Sequence, residues 1–168
     1  MRSGNASAVK VAVVLVAIVS LLGVSCLKTG SFPDTPQITF KEFKQFADSA
    51  SVTITFTDGD GDIGLDASDT FPPYDTLPWR YNLFLEYQEL QNGTWVQFDG
   101  LALPLYYRVP RITPTGQNKT LEGEIAVTLQ PFPTIPNPPH DTIRYSIKLA
   151  DRALHESNVV YTDRIVVQ

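Results

Sequence analysis

Short runs in which apolar and polar residues alternate dominate the chain after residue 36. Val52, Ile54 and Phe56 share one face of such a run and threonines share the other, which is the period of a strand with one buried side. No helical period of useful length competes with this pattern. The alternation predicts strands over roughly residues 37–43, 51–57, 81–90, 94–99, 121–130, 141–150 and 158–167, with residues 105–109 left open as an eighth strand.

Turn signals separate these runs and indicate antiparallel pairing. Asn92-Gly93 lies between two of them, and both residues accept the positive φ of a tight hairpin. Many short antiparallel strands in one domain are typical of a sandwich or barrel. The segment Asp151–Val160 resembles the hairpin that closes many bacterial immunoglobulin-like domains. That resemblance implies an all-β, immunoglobulin-like antiparallel β-sandwich of seven to eight strands, over residues 37–168.

The N-terminus has a different pattern, in which basic residues precede a continuous apolar run. Arg2 and Lys10 lead into Val11–Val24, and the small residues 23–25 precede Cys26, the one cysteine of the chain. This order is typical of a secretory signal peptide, and the run is shorter than the roughly 20 residues of a transmembrane helix. It resembles a bacterial lipobox, although Gly23 stands where leucine is usual. An ordinary cut before Cys26, giving a secreted protein, is the alternative.

The lipobox resemblance implies three segments and an address. Residues 1–25 would be a signal peptide, residues 26–36 the lipidated Cys26 and a linker, and residues 37–168 the sandwich. The protein would be exported and anchored by lipid to the cell envelope, at the outer membrane, facing the periplasm or the cell surface. The chain after residue 25 carries 11 basic and 18 acidic residues, a net charge of −7. That charge argues against nucleic acid as a partner and against adhesion to anionic lipid headgroups.

One loop carries chemical content, and it follows the second predicted strand. Asp58, Asp60 and Asp62 alternate with glycines, so that a tight loop can turn several carboxylates inward, and Asp66 and Asp69 could complete the set. Calcium takes six to eight oxygen ligands, and such an alternation is how many loops begin to supply them. The sequence therefore predicts a structural Ca²⁺ site. The alternative is an acidic turn whose Asp-Gly pairs only reverse the chain.

The direction of the strands predicts which residues lie beside this loop. With seven strands, the loop after the second strand and the last hairpin lie at the same end of the sandwich. The aspartate loop would then be next to Asp151, Glu156 and Asn158, and Asp151 and Asn158 are candidate additional ligands. A full eighth strand at residues 105–109 would reverse the chain once more and place the two loops at opposite ends.

Three segments together carry a family resemblance. Phe56–Leu65, which contains the sequence DGDGDIG, Tyr81–Tyr87 and Gln91–Trp95 resemble a group of uncharacterised Bacteroidota-type lipoproteins with an immunoglobulin-like domain. The resemblance implies the address and the fold, and it implies no activity.

Catalytic signatures are sparse in this sequence. Two histidines are too few for a three-histidine zinc site, and the chain contains neither of the motifs Gly-x-Ser-x-Gly and His-Glu-x-x-His. We therefore expect a binding or structural module rather than an enzyme, with the membrane as one partner and a protein or glycan as another. The alternative is a small hydrolase acting on envelope or extracellular polysaccharide.

Overall fold

Nine β-strands and no helix make up the described part of the chain, which in this computed structural model comprises residues 32–112, 114, 119–136 and 138–167. These residues belong to one compact unit. The predicted signal peptide (residues 1–25) and Cys26 lie outside them. The strands are β1 (Gln37–Gln45), β2 (Ala50–Asp58), β3 (Leu83–Gln91), β4 (Thr94–Gln97), β5 (Leu105–Tyr107), β6 (Leu121–Leu129), β7 (Thr142–Leu149), β8 (Val160–Tyr161) and β9 (Ile165–Val166).

The strands form two antiparallel sheets, which confirms the predicted sandwich with nine strands in place of seven to eight. One sheet has the order β1-β2-β6, and the other has the order β4-β3-β7-β8, with β5 on β3 and β9 on β7. The second strand pairs with the first and the sixth, and the third pairs with the seventh, which is the immunoglobulin-like arrangement. Among the described residues, no helix is long and apolar enough to span a membrane.

The core lies between the two inner faces and follows the alternation of the sequence. Along β2, Val52, Ile54 and Phe56 are buried, and in β7 the odd-numbered residues from Ile143 to Leu149 are buried. Tyr87 and Tyr145 meet edge to face in this layer, with ring centroids 5.8 Å apart. Burial of these side chains is the main favourable term in folding such a domain.

The segment at residues 105–109 forms a strand that does not reverse the chain. β5 pairs with Leu83–Leu85 of β3, whereas β4 pairs with the other half of the same strand, Gln88–Gln91. Both are antiparallel to β3, so β5 continues the edge that β4 begins. The expectation that a strand here would separate the aspartate loop from the last hairpin is therefore wrong, because it assumed a change of direction.

Three connections and the N-terminal segment consequently meet at one end, which we call the loop end. They are residues 59–82 between β2 and β3, residues 108–120 between β5 and β6, residues 150–159 between β7 and β8, and residues 32–36 before β1. The strand pairings that place them there are Gln37 with Thr57, Asp58 with Leu121, Leu83 with Leu149 and Leu83 with Tyr107. Residues 46–49, 92–93 and 130–141 connect strands at the opposite end.

Candidate metal site at the loop end

Three aspartates from two separate segments lie together at the loop end. Asp58 is the last residue of β2, Asp62 follows in the β2–β3 loop, and Asp151 begins the β7–β8 hairpin. One carboxylate oxygen from each lies within 4.8 Å of the others. We call these three residues the acidic cluster. The sequence prediction that the aspartate loop lies beside Asp151 is met by this arrangement.

Backbone hydrogen bonds fix the turn that brings the first two aspartates together. The Oδ2 atom of Asp58 accepts from the backbone N–H of Gly61 at 2.8 Å and from that of Asp62 at 3.1 Å. Such a side chain-to-backbone turn is typical of aspartate at the end of a strand. It leaves Oδ1 of the same carboxylate free of backbone partners.

Two further contacts join this loop to the β7–β8 hairpin. Ile63 forms an isolated antiparallel bridge with Asp151, and the Asp62 carbonyl accepts from the Arg152 N–H at 3.2 Å. The Asp62 Oδ2 atom accepts from the Ala153 N–H at 3.1 Å. The loop and the hairpin are therefore joined by their backbones, and the acidic cluster lies at the joint.

At three glycines of this loop, the backbone of another segment lies too close to leave room for a side chain. A Cβ at Gly59 would collide with Phe32 and Pro33, and one at Gly61 would collide with the Lys119 carbonyl. A Cβ at Gly64 would collide with Pro110 and Arg111. Gly61 and Gly64 also have positive φ, at 72° and 95°. The glycines thus let the N-terminal segment and the β5–β6 connection pack against the aspartate loop.

Asp58 and Asp62 each have a buried oxygen without a hydrogen-bond partner among the described residues. These atoms are Oδ1 of Asp58 and Oδ1 of Asp62, and the Asp58 side chain is completely buried. Burial raises the pKa of Asp58 to about 6, and burial together with the charge of Asp151 raises the pKa of Asp62 to about 6. Ionised carboxylates so placed have hydrogen-bond donors on Oδ2 only, and a bound cation would compensate the remaining charge.

Asp151 is buried as well, and it has a partner on its own hairpin. Its Oδ1 accepts from the His155 N–H at 2.8 Å, and its Oδ2 lies 2.9 Å from Nδ1 of His155. Burial raises the pKa of Asp151, and the hydrogen bond to this carboxylate raises the pKa of His155. His155 has no predicted role in the sequence, although its spacing of four residues from Asp151 is a signal that could have identified this contact.

The structure does not bring Asp66 and Asp69 into the acidic cluster, contrary to their predicted role as ligands of the same ion. Asp66 pairs with Arg111 at 2.9 Å, and Asp69 pairs with Arg152. The contact with Arg152 lowers the pKa of Asp69. Arg108 donates to the backbone carbonyls of Asp66 and Asp69 at 2.6 and 3.0 Å. These two carboxylates already have cationic partners, so they hold the loop in place.

The two remaining candidate ligands, and Glu156 of the same hairpin, have other positions. Asp60 is exposed at the rim of the acidic cluster, where its charge raises the pKa of Asp58 and Asp62. Asn158 donates to and accepts from the backbone of Ile38, both at 2.9 Å, and so fastens β1 to the hairpin. Glu156 pairs with Lys148 at 2.8 Å.

The donor set limits the chemistry of the site. Three carboxylates, two of them with a buried oxygen that lacks a partner, could hold a metal ion. Oxygen ligands alone favour hard cations, which places Ca²⁺ and Mg²⁺ ahead of metals that prefer sulfur or imidazole. No protein-family model matches the chain, and no curated protein matches its sequence. The interpretation of function therefore rests on the geometry of this site.

Proposed function

We propose that this protein is an exported, lipid-anchored binding module whose loop end holds a structural Ca²⁺ ion in the acidic cluster. The observation that carries the proposal is the pair of buried Oδ1 atoms, on Asp58 and Asp62, that lack partners among the described residues, in a cluster that a third carboxylate from another segment completes. An unsatisfied buried charge of this kind is costly. A divalent cation would remove that cost at Asp58 and Asp62.

Coordination preference favours calcium over magnesium, because Ca²⁺ accepts irregular shells of protein oxygens whereas Mg²⁺ usually keeps several of its own waters. Ca²⁺ binds oxygen at about 2.3–2.6 Å, so ligands on opposite sides of the ion are about 4.6–5.2 Å apart. Mg²⁺ binds at about 2.0–2.1 Å and needs a tighter, octahedral shell. Oxygens that lie within 4.8 Å of one another are close enough to share one ion. Carbonyl oxygens and water would supply the remaining ligands.

The ion would act on the arrangement of the loops. It would connect the end of β2, the β2–β3 loop and the β7–β8 hairpin, which the backbone already joins through Ile63 and Asp151. The β2–β3 loop would then be held as a fixed surface for a protein or glycan partner. The signal-like N-terminus supports attachment to the envelope, through a lipid on Cys26.

Thermal unfolding tests the calcium site. Purified protein is heated in EDTA, in millimolar Ca²⁺ and in millimolar Mg²⁺. A ligand at 100 times its Kd stabilises the folded state by about 2.7 kcal/mol, which raises the Tm by several degrees. We expect this rise with Ca²⁺ in the wild type and not in Asp62→Asn.

Asp66→Asn is the matched control, because it removes a carboxylate of the same loop that pairs with Arg111. This variant should keep the calcium-dependent rise. Equal rises in Asp62→Asn and in the wild type, or no rise in the wild type, would reject the site.

The mass of the N-terminus tests the anchor. Protein extracted from membranes should begin at Cys26 and carry the additional mass of a diacylglyceryl group, and Cys26→Ser should lack it. A mature protein that begins at Cys26 without acyl chains would instead indicate a secreted protein.

A further inference from the structure

The two edges of the three-stranded sheet are built differently. At β1 the edge is covered, because the Asn158 side chain bonds the N–H and the carbonyl of Ile38, and a bulge between Phe40 and Glu42 interrupts the strand. At β6 the edge is a regular strand of nine residues. In the described part of the chain, β2 is the one strand that pairs with β6. We call the side of β6 away from β2 the free edge.

The register of the sheet shows which backbone groups point to the free edge. Asn158 bonds Ile38 from outside the sheet, so the backbone groups of Ile38 point away from β2, and those of its partner Phe56 point to β6. Phe56 pairs with Gly123, so the odd-numbered residues of β6 bond β2. The even-numbered residues therefore direct their N–H and carbonyl groups to the free edge. These residues are Glu122, Glu124, Ala126 and Thr128.

A contact from the other sheet agrees with this direction. The Tyr107 hydroxyl of β5 donates to the Thr128 carbonyl at 3.1 Å, across the gap between the edges of the two sheets. A cavity of about 500 Å³ lies in this gap, lined by residues 101–107 and by residues 128–131 with Thr134. Leu103 in its wall is 78% exposed, and none of the described residues that line the cavity is charged. The free edge thus borders an uncharged groove.

The backbone groups of the free edge determine the class of molecule that fits it. An N–H and a carbonyl at every second residue are satisfied along their whole length by another extended chain, which adds a strand to the sheet. Natural domains often protect such edges with lysine, proline or a bulge. Strand β1 has a bulge and two lysines, whereas β6 has neither lysine, proline nor bulge in its nine residues. The free edge therefore lacks these protections.

Charge indicates the composition of the added strand. Glu122 and Glu124 are exposed on the outer face of β6, and Lys41 of β1 already pairs with Glu124 at 2.5 Å. Basic residues directly opposite these glutamates would form favourable cross-strand pairs. The residues that alternate with them would point to the inner face, where the uncharged groove lies beside the second half of β6. The strand that fits has basic residues on one face and apolar residues on the other.

We infer that the free edge of β6 binds an extended strand of a partner protein, with basic residues opposite Glu122 and Glu124 and apolar residues toward the groove. The added strand runs antiparallel to β6, as the two existing pairs of this sheet do. This inference goes beyond the proposed function, because it identifies a second surface and a class of partner. It requires neither the cation nor the lipid anchor.

Amide hydrogen exchange, resolved for single residues by NMR, tests this inference with two synthetic peptides. The basic probe is Leu-Thr-Val-Thr-Val-Lys-Val-Lys-Val, which in antiparallel register places its lysines opposite the two glutamates. The acidic probe has glutamate at both lysine positions. We expect the basic probe to slow exchange at the even-numbered amides of β6, whereas the odd-numbered amides, already bonded to β2, should be slow throughout. The acidic probe should bind roughly tenfold more weakly.

Two variants locate the bound peptide. Ala126→Pro removes an N–H from the free edge and none of the bonds to β2, so it should abolish the slowing at the neighbouring even-numbered amides. Ala126→Ser keeps this N–H and is the matched control. Glu122→Lys changes the charge without changing the backbone, and it should remove most of the preference for the basic probe.

Four results would each overturn the inference. They are slow exchange at the even-numbered amides without peptide, no slowing with the basic probe at millimolar concentration, equal slowing in Ala126→Pro and the wild type, and an unchanged preference in Glu122→Lys. In the first case, sedimentation equilibrium distinguishes a second copy on the edge from cover by another part of the chain, and both exclude a separate partner strand. The rise in Tm with Ca²⁺ is measured independently, so the calcium site would stand after any of these results.

Discussion

At the scale of single residues, the aspartates of one loop divide into two kinds according to their partners. Asp69 and Asp66 have arginines within contact distance, and the pKa of Asp69 falls accordingly. Asp58 and Asp62 have backbone N–H groups on one oxygen and, within the described part of the chain, no partner on the other, and their pKa values rise to about 6. The same residue type thus stabilises the fold at one position and opposes it at another.

The raised pKa values of Asp58 and Asp62 predict how the free energy of unfolding depends on pH in the absence of metal. In the unfolded chain both carboxyls titrate near 3.8, and in the folded protein near 6. The folded state therefore binds more protons between these values, and the free energy of unfolding falls as the pH rises from about 4 to about 6. The raised pKa of His155 extends the decline above that range. Denaturant titrations in EDTA at a series of pH values measure this slope.

Calcium should reverse that slope, because the ion binds the ionised carboxylates. In millimolar Ca²⁺ the free energy of unfolding should rise over the same pH range, and Asp62→Asn should show neither the full decline in EDTA nor the rise in Ca²⁺. Below about pH 4 the lowered pKa of Asp69 contributes the opposite dependence, since its pairing with Arg152 is lost as that carboxyl is protonated. A flat profile between pH 4 and 6 in EDTA would contradict the burial argument.

Two glycines with positive φ predict a measurable contrast. Gly61 has φ of 72° and packs against the Lys119 backbone, whereas at Gly93, with φ of 82°, no described residue other than its chain neighbours comes within 4 Å of where a Cβ would lie. Gly93→Ala should cost only the left-handed penalty, about 1–2 kcal/mol. Gly61→Ala adds overpacking of about 1–3 kcal/mol to that penalty. Equal losses in the free energy of unfolding would show that the close approach at Gly61 has no energetic consequence.

At the scale of elements, local alternation predicted the long strands closely and the short strands at the edge of the sheet less well. The inward positions of β2 and β7 follow from a period of two, which needs no knowledge of the partner strand. The predicted strand at residues 158–167 is instead two short strands, because the Thr162 hydroxyl accepts from the Tyr145 N–H between them. That contact depends on a residue 17 positions away, which the local pattern does not report.

The contact between Asn158 and β1 predicts a local change in stability. The Asn158 side chain bonds both the N–H and the carbonyl of Ile38, and each bond is worth about 0.5–1.5 kcal/mol. Asn158→Ala should therefore raise the hydrogen-exchange rate of the Ile38 amide. Asn158→Asp keeps the acceptor for that amide and serves as the control. Unchanged exchange in Asn158→Ala would mean that neighbouring pairings alone hold the start of β1.

At the scale of the whole molecule, strand direction carried more of the site prediction than the motif did. With seven strands, alternating directions predicted that the aspartate loop and the last hairpin share an end, and Asp151 lies there beside Asp58 and Asp62 although residues 105–107 also form a strand. Strand direction did not predict which of the carboxylates belong to the acidic cluster. The arginines that pair with Asp66 and Asp69 come from two other segments, so their positions follow from the packing of loops and not from spacing.

The convergence of loops predicts that the two ends of the sandwich respond differently to calcium. The ion would hold the β2–β3 loop against the β7–β8 hairpin, and the Pro33–Gly59 hydrogen bond would pass that restraint to the N-terminal segment. Local openings at this end should become rarer, because they break contacts to the ion.

The 46–49 turn and the Asn92-Gly93 hairpin lie at the opposite end of the strands, away from the acidic cluster. Amide hydrogen exchange measured by mass spectrometry should therefore slow in residues 59–66 and 150–156 on addition of Ca²⁺, and should not change in the two turns of the opposite end. Uniform slowing at both ends would indicate stabilisation of the global fold without a local restraint, and slowing confined to the hairpin would place the ion on Asp151 alone.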